Sequence, residues 1–203
     1  MSNVRGQRSK VCKYSYGFTF IELLVVISLM AIVGASVSAA YLKFEGNQRV
    51  KGAALMVKNE IRASQNNASS GKDINCTSGK LAGWFFVADV SPNALVYGVY
   101  CDPFWIPSYN ASRKILKLPQ GVTVTGVKYG GTPNAPVFIF YRTLNIGFSF
   151  HSSTPFFDPV TGDLQNFLGS GLPQDPVTII LTGSGVTYEV VVMPSGEVYE
   201  KQM

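Results

Sequence analysis

Residues 23–42 read LLVVISLMAIVGASVSAAYL, a run of twenty residues without a charged side chain. At the rise of an α-helix such a run is about 30 Å long, which matches the hydrocarbon thickness of a bilayer. A buried helix of a soluble protein seldom stays uncharged over this length. The run therefore predicts a membrane-spanning helix near the N-terminus.

The net charge of the chain lies almost entirely before this run. The sequence has 17 lysines and arginines against 12 acidic residues, which gives +5. Four of the basic residues precede Gly17, and the remainder holds 13 basic against 12 acidic residues. By the positive-inside rule we expect the N-terminus in the cytoplasm and the following domain outside it. The nearly neutral remainder gives no reason to expect a nucleic-acid partner.

A secretory signal peptide is the alternative interpretation of the apolar run. Signal peptides have an apolar region of about 7–15 residues and end at a small-residue cleavage site, and residues 35–40, ASVSAA, resemble such a site. Helical periodicity continues past the run, however, in the apolar residues Val50, Ala53, Ala54, Val57 and Ile61. We therefore predict one helix from about residue 19 to about residue 66, apolar in its first half and amphipathic in its second.

The sequence after the helix changes to a β-type pattern. Residues 68–80, ASSGKDINCTSGK, are typical of a loop. About eight short runs rich in β-branched and aromatic residues then alternate with glycine- and proline-containing dividers. Residues 186–203 give a strand, a Pro-Ser-Gly turn and a short last strand, which is the chemistry of a hairpin. We predict an α+β fold in which the long helix packs on an antiparallel β-sheet or β-sandwich.

Residues 17–33, GFTFIELLVVISLMAIV, resemble the processing and assembly segment of type IV prepilins and type II secretion pseudopilins. In that family a short basic leader ends in glycine, phenylalanine follows, threonine or a similar residue comes second, and glutamate comes fifth. Gly17, Phe18, Thr19 and Glu22 occupy these positions. The resemblance covers only the N-terminal part of the chain, and it implies a structural, non-enzymatic protein with a pilin-like fold.

The resemblance implies a maturation pathway. A prepilin peptidase cuts members of this family between the positions of Gly17 and Phe18, and the new amino group on Phe18 is commonly N-methylated. Mature subunits pack helix against helix in a filament, where the Glu22 carboxylate is expected to meet the Phe18 ammonium of a neighbouring subunit. A buried ion pair of this kind can fix register even where it adds no stability. The alternative role of Glu22 is that of an interfacial carboxylate that reaches headgroup water.

The C-terminal hairpin resembles that of the H-type general secretion pseudopilins and FimT-like minor pilins, which carry a β-sandwich behind the long helix. Some FimT-like pilins bind DNA through arginines near this hairpin. The matching tail here offers only Lys201, beside Glu197 and Glu200. Contact with phosphates needs clustered positive charge, so we expect no nucleic-acid partner.

These interpretations divide the chain into four parts: a basic leader (1–17), a transmembrane and assembly helix (18–42), an amphipathic half-helix (43–67) and a β-rich globular domain (68–203). The expected function is that of a structural subunit of a type IV pilus or a type II secretion-like pseudopilus. Its expected partners are a prepilin peptidase, other pilin or pseudopilin subunits, an assembly platform and the membrane. The alternative is a membrane-tethered extracytoplasmic binding module that does not polymerise.

The use of cysteine fits export. Cys12 lies in the leader, which leaves Cys76 and Cys101 in the domain expected outside the cytoplasm. We predict a disulfide between them that joins the Ser/Gly-rich loop to the end of a strand. The alternative is two buried thiols.

The sequence gives little support for catalytic or metal chemistry. His151 is the single histidine, and neither a C-x-x-C nor a G-x-S-x-G pattern occurs. We therefore expect no catalytic residue, no metal site and no cofactor, and a loop position for His151. The DPVTGD segment, residues 158–163, has two carboxylates but not the spacing of a calcium loop, and we interpret it as a solvated turn.

Overall fold

The computed structural model describes residues 17–72, 76, 80–90, 94–102, 114–133, 136–143, 147–152 and 174–203. The chain divides into two compact units, Met1–Leu42 and Lys43–Met203. One α-helix, α1, runs through Phe20–Ser69, which confirms the prediction of a single long helix. The leader before Gly17 and the predicted turn at 158–163 lie outside the described residues.

The described residues after α1 form ten β-strands: β1 (Lys80–Asp89), β2 (Ala94–Asp102), β3 (Lys114–Leu116), β4 (Thr123–Tyr129), β5 (Thr132–Pro133), β6 (Val137–Arg142), β7 (Phe148–His151), β8 (Val177–Gly183), β9 (Val186–Val192) and β10 (Val198–Gln202). They make two five-stranded sheets with the orders β3-β2-β1-β6-β7 and β10-β9-β8-β4-β5. The strand pairs in both sheets are antiparallel. The predicted α+β fold with antiparallel sheets is confirmed.

The predicted C-terminal hairpin is formed by β9 and β10. Val192 pairs with Val198 at its closed end. In the turn, the Gly196 amide donates to the Met193 carbonyl at 2.9 Å and the Met193 amide donates to the Glu197 carbonyl at 2.8 Å. Gly196 has a φ of 86°, a left-handed conformation that glycine adopts without steric cost. The Pro-Ser-Gly turn therefore makes the reversal that its residue types predict.

The second half of α1 supplies one side of the main hydrophobic core. Its apolar stripe is fully buried, at 0% exposure for each of Val50, Ala53, Ala54, Val57 and Ile61. These side chains share one cluster with residues of both sheets, among them Phe86, Ile139, Ile179, Leu181 and Val190. The amphipathic half of the helix is thus an integral part of the globular domain.

Two basic side chains of α1 reach β10, the edge strand of its sheet. Lys58 Nζ donates a short hydrogen bond to Glu200 Oε2, and Arg62 Nη2 donates to the Val198 carbonyl at 2.8 Å. The Lys58 hydrogen bond lowers the pKa of the Glu200 carboxyl below its ordinary value. The Arg62 contact occupies a backbone carbonyl of an edge strand, a group of the kind through which edge strands pair with other chains.

The prediction that His151 lies in a loop is wrong. His151 is the last residue of β7, is fully buried, and pairs in register with Phe138 of β6. Its Nε2 lies 2.7 Å from the hydroxyl oxygen of Ser149, which is also buried. A polar side chain is tolerated inside a protein when it has a hydrogen-bond partner. Here the partner is Ser149, two residues away on the same face of the strand. The alternation of apolar residues in the sequence does not indicate that this pair is buried.

Candidate processing and assembly segment

The predicted cleavage junction lies just before α1. Gly17, Phe18 and Thr19 are not helical, and the helix begins at Phe20. The Glu22 amide donates to Thr19 Oγ1 at 3.3 Å, and the Leu23 amide donates to the Thr19 carbonyl at 3.2 Å. Thr19 is therefore the N-cap residue, since its side chain accepts from the third helical N–H while its carbonyl accepts the first regular helical bond.

The junction itself is open. Phe18 is 77% exposed, and a Cβ built on Gly17 would meet no atom within 4 Å. Close approach to the backbone is thus unhindered on the described part of the chain, as proteolysis between Gly17 and Phe18 would require.

Glu22 is the third residue of α1 and its acidic first-turn residue. A carboxylate in the first turn is stabilised by the positive end of the helix dipole, typically by about 0.3–1 kcal/mol at an exposed position. The pattern Thr-x-x-Glu from Thr19 to Glu22 is also the sequence signature of a capping box. The sequence analysis assigned Glu22 a role between subunits and did not identify its role at the start of its own helix. The Thr-x-x-Glu pattern from Thr19 to Glu22 could have indicated that role.

The first half of α1 exposes an apolar surface. Each side chain from Phe18 to Ser36 is exposed, and none of the strongly apolar span within the helix is buried. The hydroxyls of Ser28 and Ser36 donate to the carbonyls of Leu24 and Ile32 at 2.8 and 3.0 Å, so their polarity is satisfied within the helix. By length and composition this helix is able to cross a membrane.

The structure joins Cys76 and Cys101 in a disulfide, with their Cα atoms 5.6 Å apart. The bond links the segment after α1 to the end of β2. In the same segment the Lys72 carbonyl accepts a hydrogen bond from Trp84 Nε1 of β1 at 3.1 Å. Two contacts therefore tie the chain after the helix to the first two strands.

The one basic residue of the C-terminal tail is part of an ion pair. Lys201 Nζ lies 3.0 Å from Glu189 Oε2 on the neighbouring strand β9. This hydrogen bond raises the pKa of the Lys201 ammonium above its ordinary value. The hairpin thus presents Lys201 with its charge opposed by a carboxylate.

A shallow cleft lies between the end of α1 and the hairpin of β6 and β7, with Gln65, Ser69, Tyr141, Arg142 and Phe148 among its lining residues. Burial raises the pKa of the Tyr141 phenol above its usual range, so that this group stays protonated and is a poor proton donor. Within the described residues no three His, Cys, Asp or Glu side chains are grouped as a metal site requires.

Residues 12–38 match the family described as the prokaryotic N-terminal methylation motif. The chain carries a prepilin-type methylation motif. The match covers Gly17, Phe18, Thr19 and Glu22 and extends into the apolar half of α1, which supports the resemblance to type IV pilins and pseudopilins. The prepilin motif points to a structural protein and implies processing by a prepilin peptidase and assembly with other pilin subunits. No curated protein and no solved structure matches the chain.

Proposed function

We propose that the protein is a structural subunit of a type IV pilus or of a type II secretion-like pseudopilus. It is made as a membrane-inserted prepilin, cleaved after Gly17, N-methylated at Phe18 and assembled through helix packing. The match of residues 12–38 to the prepilin methylation motif carries this proposal.

The burial of α1 supports the assembly step. The first half of the helix carries exposed apolar side chains, among them Leu23, Ile27 and Ile32 at 52%, 52% and 66% exposure. Apolar surface of this extent is unfavourable in water and requires an apolar environment. A bilayer provides that environment before assembly, and the corresponding helices of neighbouring subunits provide it in a filament.

Glu22 connects processing to assembly in this proposal. Its carboxylate is exposed in the monomer, and cleavage after Gly17 creates a new ammonium group on Phe18. In a filament the carboxylate of one subunit would pair with the ammonium of the next, which selects a single axial register. The same exposed carboxylate without a neighbouring ammonium would be costly in an apolar environment.

We further propose that the N-terminus is cytoplasmic and that the β-rich domain lies outside the cytoplasm. The four basic residues before Gly17 favour this orientation. The Cys76–Cys101 disulfide is consistent with it, because disulfides persist in oxidising compartments. Assembly then moves the subunit from the cytoplasmic membrane into the pilus or pseudopilus.

The test is to express the full precursor with a prepilin peptidase and an assembly platform, and to measure the mature N-terminus and filament incorporation. We expect methylated Phe18 as the first residue by mass spectrometry. Replacement of Glu22 by alanine should reduce incorporation at least tenfold, because an unpaired ammonium left in an apolar contact costs more than about 1.4 kcal/mol.

Glu45→Ala is the matched control, since Glu45 is a second glutamate of α1 whose pair with Arg49 lies within its own chain. It should assemble at the wild-type level. Wild-type incorporation of Glu22→Ala would contradict the assembly role and favour a membrane-tethered module that does not polymerise. A mature end near residue 40 would instead identify the N-terminal segment as a signal peptide.

A further inference from the structure

The way in which α1 begins affects cleavage after Gly17, if the chain is processed as the proposed function requires. The first N–H groups of a helix have no carbonyl partner within the helix. The Glu22 amide, which is one of them, is bound to Thr19 Oγ1. In a helix that began one residue earlier, the same amide would donate to the carbonyl four residues upstream, which belongs to Phe18. The Thr19 hydroxyl therefore takes the place of the Phe18 carbonyl.

Transfer of the Glu22 amide from the Thr19 hydroxyl to the Phe18 carbonyl would change the backbone at the proposed cleavage junction. If the helix extended upstream, the Gly17 carbonyl would also be drawn into a helical bond, with the amide of Ile21. The Gly17 carbonyl is the group that a peptidase must attack to cut between Gly17 and Phe18. Attack requires that carbonyl to be accessible in a backbone without helical hydrogen bonds, as the non-helical residues 17–19 are in the structure.

Upstream extension is favoured by the apolar surroundings expected for this segment. Backbone N–H groups that lack a partner are costly near hydrocarbon. A chain without the capping hydroxyl therefore gains by recruiting the upstream carbonyls. The Thr19 hydroxyl accepts from the Glu22 N–H, so extension of the helix upstream no longer lowers the free energy at this group.

We propose that Thr19 is a positioning residue for prepilin processing. Its N-cap hydrogen bond makes the helix begin at Phe20 and keeps the Gly17–Phe18 peptide outside the helix, in the form that the peptidase cuts. Thr19 acts on the junction through the helix start and does not contact the reacting atoms as a catalytic group.

A different explanation of a threonine at this position would be that the peptidase binds its side chain directly. The two explanations rank substitutions in opposite orders. Valine copies the shape of threonine and lacks the hydroxyl, whereas serine and asparagine differ in shape and are good N-caps. If the peptidase binds the side chain by its shape, valine should be the best replacement. If the side chain acts as the N-cap, serine and asparagine should be the best replacements.

The test uses the full-length precursor in detergent micelles, cut by a prepilin peptidase under steady-state conditions. Loss of the cap lowers the fraction of chains in the competent conformation, which raises the apparent KM and leaves kcat unchanged. We expect Thr19→Val and Thr19→Ala to raise KM by up to about fivefold, which is the full effect of a typical N-cap on the conformational equilibrium. Thr19→Ser and Thr19→Asn should stay within about twofold of wild type.

Amide hydrogen exchange at Glu22 in the same micelles, followed by NMR, separates the cap from other effects. The Glu22 amide should be protected in wild type, Thr19→Ser and Thr19→Asn. In Thr19→Val, new protection of the Ile21 amide would show that the helix has grown upstream. Wild-type KM for Thr19→Val with impaired Thr19→Asn would overturn the inference in favour of direct recognition. Equal KM values for all four variants would overturn it as well, whereas a wild-type precursor that is never cut would instead refute the proposed function.

Discussion

The two halves of α1 belong to one continuous helix and differ completely in burial. Every side chain from Phe18 to Ser36 is exposed, whereas the second half carries a stripe of five residues at 0% exposure. Backbone hydrogen bonds make both halves helical irrespective of what covers them. Burial depends on a partner surface, which the second half finds in the two sheets of the globular domain.

Glycines show the same difference at the level of single atoms. A Cβ built on Gly34 of the first half would meet nothing within 4 Å, whereas one built on Gly46 would lie 2.6 Å from the Cβ of Ser184. Ser184 belongs to the turn between β8 and β9 and has a φ of 51°. Gly46 therefore permits a close approach of helix and turn, whereas no such approach requires a glycine at position 34.

The largest expected effect comes from matched isoleucine truncations in the two halves. Ile61→Ala should lower the free energy of unfolding of the domain by about 2–5 kcal/mol, because Ile61 is fully buried and its loss leaves a cavity. Ile27→Ala should leave it unchanged, since Ile27 is 52% exposed. Denaturant titration of the full chain in detergent, followed by tryptophan fluorescence, measures both. Equal losses would show that the first half is also packed within its chain.

Smaller changes in the stability of the domain are expected when two glycines in the second half of α1 are replaced by alanine, and the two changes have opposite signs. Gly46→Ala should destabilise the domain by about 1–3 kcal/mol, because its Cβ requires the Ser184 turn to shift. Gly52→Ala should stabilise it by up to about 1 kcal/mol, because a Cβ there meets no atom within 4 Å and alanine favours the helix. Thermal unfolding of the two variants gives both signs. A stabilising Gly46→Ala would contradict the close approach.

The smallest effect is the pH dependence of stability that arises from the contact between Lys58 of α1 and Glu200 of β10. Lys58 lowers the pKa of Glu200, so the folded state binds that proton less readily than the unfolded chain. The contribution is complete above the unfolded carboxyl pKa of about 4.3 and is lost as the pH falls through the lower folded value. We expect it to be at most about 1 kcal/mol.

Unfolding of wild type and Glu200→Gln, measured between about pH 6 and pH 3, should therefore converge at the acid end. Glu45→Gln is the control, because its i, i+4 pair with Arg49 is exposed and contributes only about 0.3–0.5 kcal/mol. A gap between wild type and Glu200→Gln that persists unchanged into acid would show that the Lys58 contact is not electrostatic.

The sequence predicted the elements whose signals are local. The length of the helix, the buried stripe from Val50 to Ile61 and the last hairpin followed from periodicity and turn chemistry. The wrong prediction for His151 arose because its burial depends on pairing with β6 and on the Ser149 hydroxyl. The Thr-x-x-Glu pattern indicates the cap at Thr19, but only the structure shows that the helix begins at Phe20, directly after the proposed cleavage junction.

The sequence by itself determined that the chain has a bilayer-length apolar segment behind a basic N-terminal stretch, because charge and hydropathy are properties of the residues and need no fold. It also determined the strand-forming runs, since β-branched and aromatic residues fit a pleated, half-buried surface. Only the tertiary structure decided which strands pair, how the ten strands divide between two sheets and which half of the helix is covered. Those features depend on contacts between residues far apart in the chain, such as Lys58 with Glu200 and Gly46 with Ser184, and no local pattern encodes them.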